Sequence, residues 1–257
     1  MKIYEPAGRA REYSPLALNY FKGCDHGCVY CYVPNMMIRF NSKYDHNSVI
    51  NPIDFSELKK SAEKMRGCEK QILLSFTGDP YCGSENGETR KVLEILNFYG
   101  HKVAILTKNP EKALKDLDLI KSFGNRIKIG STLVFDNDID SFEWENGAPM
   151  PKSRINGLRE FSENGVITWA SFEPVVYPVQ SLNLLKEVSS FINHVKIGKI
   201  NNYKGIDKGI DWSKFIFDSV RICRDSNVNF YIKKDLLNFN NGVYLSGNEV
   251  NEDYLNL

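Results

Sequence analysis

The sequence predicts an α/β fold in which parallel strands alternate with helices. Short apolar runs rich in β-branched residues recur along the chain, and amphipathic segments lie between them. This alternation implies parallel strands joined by right-handed crossovers. Seven strand candidates favour a closed or partial barrel over an open doubly wound sheet. The length of 257 residues is also close to the roughly 200–250 residues of single α/β barrels.

The strand candidates are short and bounded by Gly, Asn or Pro, which is typical of buried strands. They cover residues 16–21, 71–76, 102–106, 126–133, 166–171, 194–197 and 229–232. The helix candidates cover residues 55–65, 89–99, 110–120, 152–162, 181–191 and 212–223. Asp54 and Ser56 are suitable N-caps for the first of these helices. Gly100 suits the position after a helix, and Pro110 suits a first helical turn.

Composition and charge exclude several classes of protein. The net charge of +1 gives no global electrostatic attraction to nucleic acid or to an anionic membrane. No apolar run reaches the ~20 residues of a membrane span, and residues 1–16 lack the apolar core of a signal peptide. We therefore expect a cytoplasmic protein without a membrane partner. In that compartment the six cysteines would rarely be disulfide-bonded.

Three cysteines, Cys24, Cys28 and Cys31, are clustered directly after the first strand candidate. Soft thiolates favour zinc or iron–sulfur clusters over hard cations. Structural zinc requires four ligands, whereas this loop offers three sulfurs unless His26 joins them. We expect His26 to be an exposed loop residue instead. A 4Fe–4S cluster held by three cysteines leaves one iron without a protein ligand, so that this iron can bind a cofactor.

Polar or ionisable side chains also follow the other strand candidates. They are Asp79 after the second, Lys108 after the third, Ser131 and Thr132 at the end of the fourth, Glu173 after the fifth, Lys199 after the sixth and Lys233 after the seventh. In parallel α/β folds the chemistry lies at the carboxyl ends of the strands. We therefore expect these side chains to surround one site together with the cysteine loop.

The Cys-x3-Cys-x2-Cys loop, with Tyr30 and Tyr32 on either side of the third cysteine, resembles the radical S-adenosylmethionine (SAM) superfamily. The resemblance covers most of the chain. It implies a partial (β/α)6 barrel of the TIM type and a 4Fe–4S cluster on Cys24, Cys28 and Cys31, with SAM on the open iron. It also implies reductive cleavage of SAM to a 5′-deoxyadenosyl radical that abstracts hydrogen from the substrate. An external one-electron reductant of the flavodoxin or ferredoxin type would be a partner.

The same resemblance implies a SAM site around the second strand. Thr77, Gly78 and Asp79 occupy the place of the family's glycine-rich motif, whose backbone contacts the SAM amino group. The usual Gly-Gly-Glu-Pro is here Thr-Gly-Asp-Pro, and the alternative interpretation is a simple Asp-Pro turn. Tyr30, in the cysteine loop, belongs to the same expected cofactor site.

Further residues are candidates for the rest of SAM. Ser131 and Thr132 are suited to the methionyl or ribose part. Arg154 is a candidate for the SAM carboxylate because a planar guanidinium binds carboxylates in a bidentate fashion; the alternative is a solvated helix residue. Glu173 is a candidate for ribose hydroxyls or substrate, and the alternative for it is a capping or salt-bridge role.

Lysines and one further cysteine complete the expected site. The candidate substrate-binding residues are Lys108, Lys196, Lys199 and Lys233. If they surround one opening of the barrel, the site is cationic and suits a phosphate or carboxylate. Otherwise only their aliphatic stems pack against the barrel and their ammonium groups reach solvent. Cys82 follows the Thr-Gly-Asp-Pro-Tyr turn and is a candidate hydrogen donor to a product radical. The alternative for Cys82 is a small buried residue.

Several stretches resemble the spore photoproduct lyase-like branch of this superfamily, whose best-known activity is radical repair of a thymine dimer in DNA. They include Thr-Gly-Asp-Pro-Tyr at residues 77–81 and Gly-Ala-Pro-Met-Pro at residues 147–151. Residues 171–175 and 231–234 are similar to small relatives from phages or mobile elements. Our first hypothesis is a radical SAM enzyme acting on a nucleotide, nucleobase or nucleic acid, as a lesion lyase or modifier. The second is a radical enzyme on a peptide or small metabolite, and the third is a zinc-binding interaction protein without catalysis.

We expect one domain over residues 1–257. Within it, residues 1–15 form an N-terminal extension, residues 16–200 the barrel core, and residues 201–257 a C-terminal extension with an extra strand. The last residues, 238–257, are rich in Asn, Gly and Glu and either cap the barrel or trail as a tail.

Overall fold

Seven parallel strands form one sheet in the computed structural model of the protein. The structure describes residues 2–20, 22–42, 44, 54–83, 85, 87–201, 203 and 205–257. The strands are β1 Leu16–Leu18, β2 Ile72–Leu74, β3 Val103–Leu106, β4 Ile127–Thr132, β5 Ile167–Val175, β6 His194–Lys199 and β7 Asn229–Ile232. They pair in chain order from β1 to β7. A doubly wound sheet reverses its strand order, so the sequential order identifies a partial barrel and confirms the predicted fold class.

Helices connect the strands on the outside of the sheet. They are α1 Val33–Arg39, α2 Phe55–Lys64, α3 Glu88–Phe98, α4 Pro110–Ala113, α5 Leu117–Ser122, α6 Asp138–Trp144, α7 Pro151–Glu163, α8 Pro178–Val188, α9 Trp212–Asp225 and α10 Lys234–Leu237. The helix predicted over residues 110–120 is divided into α4 and α5 by a 3-10 turn. The turn brings the carboxylate of Asp116 inward, where it accepts hydrogen bonds from Tyr81 and Arg90, each at 3.1 Å. Helices α1, α6 and α10 were not predicted.

Four strand ends differ from the prediction by two residues or more: β1 and β2 are shorter, and β5 and β6 are longer, so that Lys199 is the last residue of β6. β1 and β2 are shorter, because the backbone hydrogen bonds between the two strands stop at this point. The Phe76 backbone N–H donates instead to the Asn19 side chain at 2.7 Å. The predicted end of the first strand at Phe21 lies outside the described residues. β5 is longer, and therefore Glu173 lies within the strand instead of after it.

The inside and outside of the barrel are packed by alternate strand residues. In β2, Ile72 and Leu74 belong to the large apolar cluster under the helices, whereas Leu73 faces the lumen with Trp169. The lumen is tight at Gly130, where a Cβ atom would lie 2.5 Å from the Trp169 ring. Since the lumen is filled at this level, open space is left at the ends of the strands.

The C-terminal segment closes the amino end of the barrel, so it caps the barrel and does not trail. Lys128, early in β4, donates a hydrogen bond to the Leu255 carbonyl at 2.5 Å. The Leu257 backbone N–H donates to Gln71 at 3.3 Å, and Arg11 pairs with Asp253 at 2.7 Å. Substrates therefore have access from the opposite, carboxyl end. Among the described residues, no helix is both long and apolar enough to cross a membrane.

Candidate active site

A cavity of about 370 Å³ opens at the carboxyl ends of the strands. Its walls come from the loops after β1, β2 and β3, from the ends of β4, β5, β6 and β7, and from the N-terminal segment. The predicted site residues that line it are Cys24, Cys28, Cys31, Tyr30, Gly78, Asp79, Lys108, Thr132, Glu173, Lys199 and Lys233. The strand-end rule therefore brings most of the candidate residues together around one space.

Glycines allow the cysteine loop to wrap tightly. Gly23 and Gly27 have φ angles of +114° and +60°, in the left-handed region that favours glycine. A Cβ atom on Gly27 would lie 2.7 Å from the Asn146 side chain, because the connection between α6 and α7 packs against the loop. The Cys31 backbone N–H donates to the Cys28 carbonyl at 3.0 Å, which closes a turn between two of the thiols.

Asp79 fixes the loops after β1, β2 and β3 to one another. Its carboxylate accepts hydrogen bonds from the Thr107 hydroxyl at 2.5 Å and from the Lys108 backbone N–H at 2.7 Å. His26 Nδ1 lies 3.5 Å from the same carboxylate. The prediction that His26 is exposed is wrong, since its side chain is buried at 2% exposure and faces Asp79. Burial lowers the pKa of His26.

Glu145 is a buried acid that sequence reasoning missed. Its carboxylate lies 2.7 Å from the Arg154 guanidinium and 3.7 Å from the Lys108 ammonium, and it accepts a hydrogen bond from the Tyr30 hydroxyl. Burial opposes its ionisation, but Arg154 and Lys108 outweigh burial and lower the pKa of Glu145. No motif spacing marks Glu145, because its partners come from three other segments of the chain.

Arg154 has a different partner from the SAM carboxylate that was expected. Its guanidinium is buried at 1% exposure, pairs with Glu145, and donates to the carbonyls of Pro149 at 2.7 Å and Thr132 at 3.2 Å. It does not line the cavity. Arg154 therefore holds the wall of the site in place from behind.

The opposite wall of the cavity is built around Glu173. Its carboxylate accepts hydrogen bonds from the Tyr13 hydroxyl at 2.6 Å and from the Lys233 ammonium. Lys233 lies 4.2 Å from the centre of the Tyr13 ring and 3.7 Å from the buried carboxylate of Glu12. Tyr13 also shares a hydrogen bond of 2.9 Å with Ser171. Sequence reasoning missed Glu12 and Tyr13, which lie in the N-terminal extension without any motif.

The lysines are each matched by a protein oxygen. Lys199 lies 3.7 Å from Asp207, and Lys233 lies between Glu12 and Glu173. Lys196 does not line the cavity; it is fully buried and donates to the Glu12 carbonyl at 2.6 Å. Burial lowers its pKa to about 7, and Lys233 adds to this effect. The site is therefore less cationic than a cluster of unpaired lysines would be.

Three further candidates lie beneath the cavity wall. Thr77, Ser131 and Cys82 are buried and do not line the cavity. The Thr77 carbonyl accepts the Gly23 backbone N–H at 3.2 Å and so anchors the start of the cysteine loop. Cys82 is fully buried, and its carbonyl accepts a hydrogen bond from the Lys112 ammonium at 2.6 Å.

The donor set fits a 4Fe–4S cluster better than a single zinc ion. Tetrahedral zinc–thiolate bonds of about 2.3 Å place the sulfurs about 3.8 Å apart. Among the described residues, the group with ligand atoms within 4.8 Å of one another is Cys24, Asp25 and His26, not the three thiols. In that group, Asp25 accepts the Gly83 backbone N–H at 2.9 Å and His26 faces Asp79. Three thiols spread around one cavity wall suit a multi-iron cluster.

Two curated proteins are similar to this chain in sequence. An uncharacterized protein of Acidianus two-tailed virus is 29% identical over 179 residues, which cover 66% of this chain and 59% of the viral protein. An uncharacterized protein of Methanocaldococcus jannaschii is 28% identical over 162 residues, which cover 62% of this chain and 60% of the relative. The chain thus spans about three fifths of the length of these relatives.

Solved structures share the fold at low sequence identity. A spore photoproduct lyase complexed with dinucleoside spore photoproduct has a TM-score of 0.66 and 13% identity, with 89% of this chain and 78% of the lyase covered. SuiB of Streptococcus suis, bound to S-adenosylmethionine, has a TM-score of 0.62 and 15% identity, with 90% of this chain and 53% of SuiB covered. These likenesses support the partial barrel.

A family model described as the radical SAM superfamily matches residues 18–192, which is more than half of the chain. The matched segment runs from β1 into the turn before β6 and includes the cysteine loop. This finding favours an iron–sulfur and SAM site over the alternative of a zinc-binding interaction protein. The chain belongs to the radical SAM superfamily.

Proposed function

We propose that the protein binds a 4Fe–4S cluster through Cys24, Cys28 and Cys31 and cleaves SAM reductively. The observation that carries this proposal is that the three thiols line one cavity at the carboxyl end of the barrel. When bound, the cluster would supply one electron to SAM, with release of methionine and a 5′-deoxyadenosyl radical. An external one-electron reductant of the flavodoxin or ferredoxin type would deliver that electron.

The chain's own residues would position SAM. Gly78 and Asp79 present the turn after β2 to the cavity, where backbone groups can bind the SAM amino group. Thr132 and Glu173 line the same space and offer hydroxyl and carboxylate groups to the methionyl part and the ribose. Tyr30 is fixed by Glu145 against the cluster side of the cavity. Thr77, Ser131 and Arg154 would support these residues from behind.

Iron analysis and SAM turnover test this proposal together. Protein purified without oxygen and reconstituted with iron and sulfide should hold about four irons and form 5′-deoxyadenosine with dithionite. Cys28→Ala removes one thiol of the cavity and should lose the cluster and the turnover. Cys68→Ala is the matched control, because Cys68 lies outside the cavity wall, and it should behave as the wild type. Full turnover by Cys28→Ala would refute the proposal.

We infer that the substrate is a nucleotide, a nucleobase or nucleic acid, modified or cleaved by lesion-lyase chemistry. Aromatic rings from Tyr13, Tyr32 and Phe76 line the cavity beside the predicted SAM residues. Aromatic side chains are the usual stacking partners of bases, and each stacked base gains about 1–3 kcal/mol. The spore photoproduct lyase of similar fold is complexed with a dinucleoside, which supports the same class.

A peptide or small metabolite is the second candidate class. The cations that line the cavity are paired with carboxylates, for example Lys233 with Glu173 and Lys199 with Asp207. This pairing weakens the attraction for phosphate. SuiB, which shares the fold, has been solved bound to its precursor peptide.

Isotope transfer distinguishes the two classes. Deuterated thymidine-containing oligonucleotides and deuterated peptides should each be incubated with the loaded enzyme and SAM. We expect deuterium in 5′-deoxyadenosine from the oligonucleotide and none from the peptide. Transfer from the peptide alone would favour the second candidate.

A further inference from the structure

The end of helix α1 exposes two large apolar side chains next to the cysteine loop. α1 begins two residues after Cys31. Val33 and Met37 form its buried face, whereas Ile38 and Phe40, at its end, are 70% and 73% exposed. Scattered exposed apolar residues are ordinary, but a group of them rimmed by polar residues marks a surface for contact with another molecule.

The same surface is basic. Arg39 lies between the two apolar residues and is exposed. The Lys22 ammonium lies 3.5 Å from the hydroxyl of Ser42, just beyond the end of α1. Within the described part of the chain neither cation forms an ion pair, and residues 29–44 contain no Asp or Glu. We call Lys22, Ile38, Arg39 and Phe40 the α1 patch.

A second exposed apolar surface, on α6, carries the opposite charge. Ile139 and Phe142 are 74% and 59% exposed, and they lie among the exposed acids Asp138 and Glu143 of the same helix. An acidic partner would therefore be attracted to the α1 patch and repelled by α6, although both surfaces offer apolar side chains.

We propose that the α1 patch is the docking surface for an acidic electron carrier of the flavodoxin type. This inference rests on the proposed cluster site. Carboxylates around the flavin would meet Lys22 and Arg39, and the apolar edge of the flavin ring would meet Ile38 and Phe40. In the complex the flavin hydroquinone gives up one electron and becomes the semiquinone, and the cluster takes up that electron.

The position and the size of the patch both fit this partner. Lys22 comes two residues before Cys24, and α1 begins two residues after Cys31, so the patch borders the cysteine loop at both of its ends. Since electron transfer slows steeply with distance, a carrier must bind close to the thiols. Electron-transfer complexes bury less than about 1,200 Å², and a few side chains therefore suffice as the anchor.

Binding can be measured without turnover, by calorimetric titration of the reconstituted full chain with an oxidised flavodoxin. Arg39→Glu should raise Kd about fivefold in low salt, and less in 1 M salt, where the charges are screened. Ile38→Ser should raise Kd about threefold through the lost apolar contact. Lys121→Glu, at an exposed residue of α5, and Ile139→Ser, on α6, are the matched controls and should keep the wild-type Kd.

Turnover with two reductants is the second measurement. With dithionite, which is small and needs no docking surface, Arg39→Glu should form 5′-deoxyadenosine at the wild-type rate. With reduced flavodoxin below saturation, the variant should be about fivefold slower. An unchanged Kd in Arg39→Glu would overturn the inference, as would equal losses in Lys121→Glu or equal slowing with both reductants. Failure of the proposed function differs, because the wild type would then form no 5′-deoxyadenosine with either reductant.

Discussion

The two halves of the cavity are built in different ways. The half after β1 to β3 contains the three thiols, which one loop of eight residues supplies between Cys24 and Cys31. The half at the ends of β5 to β7 joins residues far apart in sequence, such as Tyr13 with Glu173. The difference teaches that the three thiols are encoded locally, whereas the half at β5 to β7 exists only once the barrel has closed. We call the half with the thiols the cofactor side and the half at β5 to β7 the substrate side.

Charge is also handled differently in the two halves. On the cofactor side, one buried carboxylate, Glu145, faces the two cations Arg154 and Lys108. On the substrate side, one cation, Lys233, lies between the two carboxylates Glu12 and Glu173. The central charge is therefore negative on the cofactor side and positive on the substrate side. Removing such a charge tests the comparison.

Glu145→Ala should give the largest loss of stability. It leaves the Arg154 guanidinium, 1% exposed, without its carboxylate, and an unpaired buried charge costs about 3–5 kcal/mol. The free energy of unfolding, measured by urea titration, should fall by that amount. Glu143→Ala changes an exposed acid of α6, the helix that ends just before Glu145, and should stay within about 0.5 kcal/mol of wild type. Equal losses in both variants would contradict the central role of Glu145.

The second prediction concerns pH and the substrate side. Burial lowers the pKa of Lys196 to about 7, with Lys233 adding to the shift and Glu12 opposing it, whereas an unfolded lysine titrates near ~10.4. Between these values the unfolded chain binds more protons, so stability rises with pH. Below pH 7 both states are protonated and the contribution of this residue is flat.

The slope from Lys196 should reach about 1.4 kcal/mol per pH unit within that window. Urea unfolding of wild type and Lys196→Met at pH 7.5 and 8.5 measures it as the difference between the two proteins. The variant lacks the titrating amine and should show a smaller rise over this step. Parallel pH profiles would show that the amine is not buried as the structure indicates.

Tyr13→Phe should have a moderate effect confined to the substrate side. It removes a hydrogen bond of 2.6 Å to Glu173 and keeps the ring, which costs about 1 kcal/mol. The cluster content should not change, because the cysteine loop lies on the other wall. Tyr244→Phe, at a side chain 79% exposed, is the control and should be neutral. Loss of iron in Tyr13→Phe would show that the two halves are not independent.

The smallest effect is expected at the closed end of the barrel. Arg11 binds Asp253 through two hydrogen bonds of 2.7 Å, but both side chains are partly exposed. Arg11→Ala should therefore cost about 0.5 kcal/mol in low salt and less in 1 M salt, where surface charges are screened. Lys2→Ala, whose weaker pair with Glu57 spans 4.0 Å, is the comparison and should show no measurable loss. A salt-independent loss in Arg11→Ala would point to packing instead of charge.

The sequence by itself determined the barrel and the cysteine loop. Strand–helix alternation has a fixed period, and the three thiols have a fixed spacing. Both are local patterns that can be recognised in the sequence alone. Most strand-end candidates line the cavity for the same reason, since parallel strands end at one edge.

Only the tertiary structure decided which side chains face the cavity and which support it. Whether Arg154 meets a ligand or Glu145 depends on the connection between α6 and α7. Whether Cys82 lines the cavity or lies beneath its wall depends on the turn after β2. Tyr13 reaches Glu173 because the N-terminal segment packs along β7. There Glu12 accepts hydrogen bonds from the Tyr231 hydroxyl and the Lys234 backbone N–H. Such pairings depend on contacts between residues far apart in the chain, and no local pattern records them.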